Sequence, residues 1–165
     1  MNYPIEIKLG TYTLRVYEDL TVTKKNITKK YGERWIPINF SKQECINKNG
    51  TILTYYRFEL KNNGKRTSFL RHRLNYYAHN QDWNIFDTRR DNSIDHINGT
   101  VSGDHIHNLR LVTHQQNLFN RIDCKGYYKH RNKWYAYINV DKKQIYISCN
   151  SEEEAIETRK QLKIK

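Results

Sequence analysis

Residues 94–117 read IDHINGTVSGDHIHNLRLVTHQQN, and the order of signals in this stretch decides the expected fold. SIDHI (93–97) is apolar-led and broken by Asn98–Gly99, so it reads as a short strand, with NLRLVT as a second strand. Thr113 with Gln116 three residues later forms a capping box, so THQQNLFNR begins a helix. Residues 94–121 therefore predict strand, loop, strand, helix. Asp-His occurs twice inside them, at 95–96 and at 104–105. An acid beside an imidazole is a common component of a hydrolytic centre.

The first pair ends a strand, whereas the second lies in a loop. A base needs fixed geometry, so chemistry is expected at Asp95–His96, with Asp104 and His105 holding the loop or touching DNA backbone. A hairpin packed on a helix lets Asp95 face Asn117 on the first helical turn. Carboxylate and amide oxygens are hard ligands that suit Mg²⁺ (or Mn²⁺). His96, on the other side of the strand, is placed to take a proton from an attacking water. Asn108 directly precedes LRLVT and is placed to bond backbone across the loop. A rival constellation is zinc on His96, His105, His107 and His114, although such sites usually add cysteine or an H-x₃₋₅-H pair. His114, just inside the helix, reads rather as a phosphate contact or as a residue that supports the ligands.

The bulk composition agrees with a polyanion binder. There are 29 Lys+Arg against 17 Asp+Glu, a formal charge of +12. Cations gain affinity for phosphates by releasing counterions, and the interleaved tyrosines favour nucleic acid over a membrane surface. Only 37% of residues are hydrophobic, so several small modules are expected rather than one large core. Cys45, Cys124 and Cys149 include no C-x-x-C pair, which suits a reducing, cytoplasmic setting. No apolar run suggests a signal peptide or a membrane span.

Around this centre, residues 1–70 read as β-rich, with a hairpin turn at Asn63–Gly64 and a basic loop at TKKNITKKYGERW. Residues 70–80 read as a short helix and QDWNIFDTRRDN as a loop. The tail, 124–165, predicts three short strands with turns at Arg131–Lys133 and Asp141–Lys143. A capped helix follows, with acids in its first turn and bases in its last.

The stretch 94–117 resembles the HNH homing endonucleases of phages and introns, in which a first strand ends in Asp-His, a middle Asn precedes Leu-Arg-x-Val-Thr, and a final Asn or His lies on the helix. The resemblance implies Asp95 and Asn117 as metal ligands, His96 as general base and Asn108 as the residue that orients the loop. The upstream YYRFELKNNGKRTSFLRHRL also resembles segments that precede the motif, which brings in His72 and Arg73, either as DNA phosphate contacts or as packing residues. Residues 126–162 are similar to the Apetala-type plant DNA-binding domain, which lays a three-stranded sheet in the major groove. Alternation there turns Trp134, Ala136, Ile138 and Val140 toward the helix. Tyr135, Tyr137, Asn139 and Tyr146 face the other way, near Lys129 and Arg131, as the implied DNA surface.

These readings lead to an α+β, small multi-module protein. Its parts are a β-rich region (1–70), a ββα-metal nuclease core (71–122) and a three-stranded sheet plus helix (123–165). The expected activity is Mg²⁺-dependent hydrolysis of double-stranded DNA at a long site, nicking as a monomer, with no obligate protein partner. The alternatives are a DNA-binding regulator with a vestigial core, and a short-site restriction-type nuclease.

Overall fold

The computed structural model describes residues 2–47, 50–62, 64–119, 125–140 and 143–164. They form two compact units, 1–112 and 113–165. The first opens with an antiparallel meander of β1 (Ile5–Leu9), β2 (Tyr12–Val16), β3 (Val22–Thr28) and β4 (Gly32–Pro37), in that spatial order. A second sheet holds β5 (Ser41–Ile46), β6 (Ile52–Asn62) and β7 (Lys65–Leu70), and leads directly into α1 (Arg71–His79). After a loop, β8 (Ser93–His96) pairs antiparallel with β9 (Leu109–Val112).

One apolar core joins these parts. Ile7, Leu9, Leu14, Val16 and Val22 from the meander pack with Phe58, Leu60 and Phe69 from the second sheet and with Leu74 and Ala78 of α1. Burying each large side chain contributes about 1.5–3 kcal/mol, so the meander and the helix stabilise each other. His72, Leu74, Asn75 and Ala78 are the buried residues of α1, and their helical spacing puts them on one face. That face carries two polar residues, His72 and Asn75, and they matter below.

The second unit contains α2 (His114–Phe119), the antiparallel sheet β10 (Tyr127–His130), β11 (Lys133–Val140) and β12 (Lys143–Cys149), and α3 (Glu152–Ile164). Ala136, Cys149 and Ala155 are buried together, with Tyr127, Trp134 and Leu162 packed around them. The helix starts follow from their caps. Thr113 and Gln116 bond reciprocally, Gln116 Oε1 accepting from Thr113 N at 2.9 Å and Thr113 Oγ1 from Gln116 N at 3.2 Å. Ser151 Oγ accepts from Glu154 N at 3.1 Å at the start of α3.

The α+β expectation with a ββα-metal core is corrected. Twelve strands in four antiparallel sheets stand against three α-helices among the described residues, so the fold is β-rich. Two physical reasons account for the difference. The stretch TKKNITKKYGERW is not a loop but most of β3 and β4. Its side chains are held across the sheet: Lys25 Nζ lies 2.7 Å from Glu33, and the Trp35 ring lies 3.8 Å from the Arg15 guanidinium of β2. Secondly, the unit boundary falls between β9 and α2, so residues 94–117 are divided between two units. Asn63 of the expected hairpin turn, Asp141 and Lys142 of the expected tail turn, the helix end at 120–121 and Cys124 lie outside the described residues. No helix among the described residues is long and apolar enough to cross a membrane.

Candidate active site around His96

The loop between β8 and β9 folds back on itself because two glycines adopt positive φ, Gly99 at 77° and Gly103 at 79°. Asn108, 0% exposed, fastens it. Its Nδ2 donates to Gly99 O at 3.2 Å and Gly103 O at 2.8 Å, and its Oδ1 accepts from Asn98 N at 2.9 Å. Its own carbonyl accepts from Ile97 N at 2.8 Å. Every polar group of this side chain except one acceptor lone pair is thereby used on backbone.

The folded loop delivers Asp104 to His96. His96 Nε2 lies 2.7 Å from Asp104 Oδ1, with the two side chains 6% and 4% exposed. Asp104 Oδ2 accepts from Arg71 Nε at 2.8 Å, and its main-chain oxygen accepts from Asn75 Nδ2 at 2.7 Å. Arg71 and Asn75 are one turn apart on α1, so the helix holds both ends of the aspartate. Burial alone would raise the Asp104 carboxyl, but bonds from His96 and Arg71 outweigh it and hold it below the usual carboxylate value. An ionised carboxylate only accepts, so His96 Nε2 carries a proton, and in the neutral ring Nδ1 carries the lone pair.

His72 completes the group. Its ring centroid lies 4.9 Å from that of His96, and the Tyr55 ring approaches both, at 5.9 Å and 6.4 Å. His72 is 5% exposed, and its Nδ1 has no hydrogen-bond partner among the described residues. Burial, and then the adjacent His96, push its pKa down from 6.5 to about 3. Below 6.5 the unfolded chain therefore binds a proton that the folded chain refuses. Stability of the first unit is expected to be complete above 6.5 and to fall progressively toward 3. Thermal melts at stepped pH read this slope, which His72→Gln should flatten.

Asp95 is the β-ladder partner of Arg110, whose Nε and a terminal nitrogen reach Asp95 Oδ2 at 3.2 and 2.9 Å. Asn117 is half-buried on α2 in the second unit, as is His114. Arg73 donates to the carbonyls of Ile85, Asp87 and Asn92, each at 3.1 Å, and lies 4.7 Å over Trp83, so it fastens the loop after α1. The rival zinc set of His96, His105, His107 and His114 is not the grouping found among the described residues. His105 and His107 are exposed and stack on each other at 5.7 Å. Among the described residues, the group with ligand atoms close enough for one ion is His72, His96 and Asp104.

In the second unit, Ala136 and Ile138 are buried on the α3 side of the sheet, and Tyr135, Tyr137 and Asn139 alternate with them. Tyr128 stacks on Tyr135 at 5.6 Å and meets Tyr137 at 5.9 Å, and Tyr137 meets Tyr146 at 6.4 Å. Four tyrosines thus form one connected face, with Tyr146 52% exposed. Lys129 is exposed on β10, with its Nζ 5.8 Å from the Trp134 ring, and Arg131 is exposed in the turn that follows.

Sequence reasoning placed Asp104 in the loop and missed its reach to His96, together with Arg71 and Tyr55. The one available signal was the pair of glycines around 99–103, which return a loop to its starting strand. No family model, curated protein or solved structure matches the chain.

Proposed function

We propose that this protein is a metal-dependent DNA endonuclease of the HNH homing type, hydrolysing a phosphodiester with His96 as general base. The observation that supports it most is the His96–Asp104 pair. A buried carboxylate 2.7 Å from Nε2 holds the ring in one tautomer and offsets the imidazolium charge that forms when Nδ1 takes a proton. Asp104 is a positioning residue, and Arg71 and Asn75 keep it in place.

Asp95, next to His96 on β8, offers the hard carboxylate that Mg²⁺ (or Mn²⁺) requires, and it already faces a positive charge in the Arg110 guanidinium. Bound there, the ion would stabilise negative charge developing on the phosphate. The tyrosine face, with Asn139 and with Arg131 in the adjoining turn, is the double-stranded DNA contact of the second unit; Lys129, which alternates with Tyr128 and lies against Trp134, belongs to the other face of β10. No acidic residue lies on its three strands, so it suits a polyanion. A monomer with one such centre nicks one strand, and a cytoplasmic setting supplies both DNA and Mg²⁺.

A second reading, a DNA-binding regulator that does not cut, is favoured by one observation: Arg110 already neutralises Asp95. The two readings separate on supercoiled plasmid and on fragments of candidate host DNA. The nuclease converts substrate to nicked product with Mg²⁺ and not with EDTA. Salt-sensitive binding with no metal-dependent nick on any substrate supports the regulator.

A further inference from the structure

We infer that His72, His96 and Asp104 form a site for a borderline transition ion of the Zn²⁺ or Co²⁺ class, separate from any Mg²⁺ at Asp95. The site stands independently of the nuclease reading, because it rests on the three side chains alone.

Three observations carry it. One ligand atom from each residue lies within 4.8 Å of the others, close enough for a single ion to touch all three. The His72 ring is 5% exposed, yet its Nδ1 has no partner among the described residues. Buried polar atoms are almost always paired, so an orphan nitrogen on a ring grouped with two other potential ligands points to a missing partner. The surroundings also resemble a prepared coordination shell. Arg71 fixes the second oxygen of Asp104 at 2.8 Å and Asn75 fixes its backbone at 2.7 Å, which orients the carboxylate.

The donor set selects the ion. Two imidazoles and one carboxylate match the three-ligand sites of zinc, which leave a fourth position open. Mg²⁺ prefers oxygen donors and gives up its water reluctantly, so it does not compete here. The three ligands come from α1, β8 and the loop after Gly103, so an ion would also tie these segments together.

Occupation has a consequence for His96. The atom nearest Asp104 is Nε2, and ligation through Nε2 moves the proton of the neutral ring to Nδ1. No proton is lost, but Nδ1 then has no lone pair with which to act as a base. A zinc-loaded chain is therefore inactive as a nuclease, and removal of zinc restores the base.

The test is a titration of the full, metal-stripped chain with Co²⁺, followed by its visible absorption. Tight binding of about one Co²⁺ per chain is expected, displaced by Zn²⁺ but not by a large excess of Mg²⁺. His72→Ala and Asp104→Asn should each weaken it by about 100-fold or more, since each removes a ligand. Asp104→Asn keeps the side-chain shape, so it decides the matter if His72→Ala does not fold. Replacing the exposed His105 and His107 together should leave binding unchanged. Absence of Co²⁺ binding in folded wild type overturns the site, as does binding that survives Asp104→Asn. Neither result touches the nuclease reading, which fails instead if the metal-stripped chain never nicks DNA when given Mg²⁺.

Discussion

Replacing Asn108 with alanine is expected to lower the stability of the first unit by roughly 2–4 kcal/mol. The side chain is 0% exposed and makes three hydrogen bonds to backbone. Its loss strands the Asn98 N–H and the Gly99 and Gly103 carbonyls. A buried polar group without a partner costs about 1–3 kcal/mol, and relaxation of the loop toward water recovers part of the sum. The expected fall in Tm is on the order of 10 °C. Asn108→Asp keeps the acceptor but loses both donors, so it should destabilise as well. Equilibrium denaturation measures both variants, and a loss below about 1 kcal/mol for alanine would mean that Asn108 does not hold the loop.

A large kinetic effect is expected from Asp104→Asn, a fall in nicking rate of about 10²–10⁴-fold with little change in DNA affinity. The carboxamide has one acceptor and one donor end. Arg71 can only donate, so the amide oxygen turns toward Arg71 and its NH₂ group meets His96 Nε2. His96 must then accept at Nε2 and carry its proton on Nδ1, the wrong tautomer for base catalysis. The loss should persist at every pH at which the protein stays folded, because tautomer rather than ionisation causes it. A variant within a factor of about three of wild type would remove Asp104 from the mechanism.

Much of the chain follows local rules that a sequence displays. The capping box of Thr113 and Gln116 marks the start of α2, and alternation in KWYAYINV separates buried Ala136 and Ile138 from the tyrosine face. The β-rich balance was harder to see, because β3, β4 and β5 are largely polar and mostly half-buried or exposed. Strands of that kind are held by cross-strand pairs such as Lys25–Glu33, and pairing partners leave no periodic trace in one sequence. The site shows the same division. Asp95 and His96 are neighbours and could be read together, whereas the approach of Asp104 depends on two glycine torsions and on contacts from α1. His72 is reached in the sequence only through the resemblance of its segment, and its orphan nitrogen is visible only in three dimensions.

The central claim is that His96 is the base of a DNA-cutting centre. It is tested most directly by the single-turnover nicking rate of wild type beside His96→Ala, on a bound DNA substrate with Mg²⁺. The expected result is metal-dependent nicking by wild type and a loss of about 10²-fold or more in the variant, with both proteins folded and binding DNA equally. Equal nicking rates for the two proteins would contradict it.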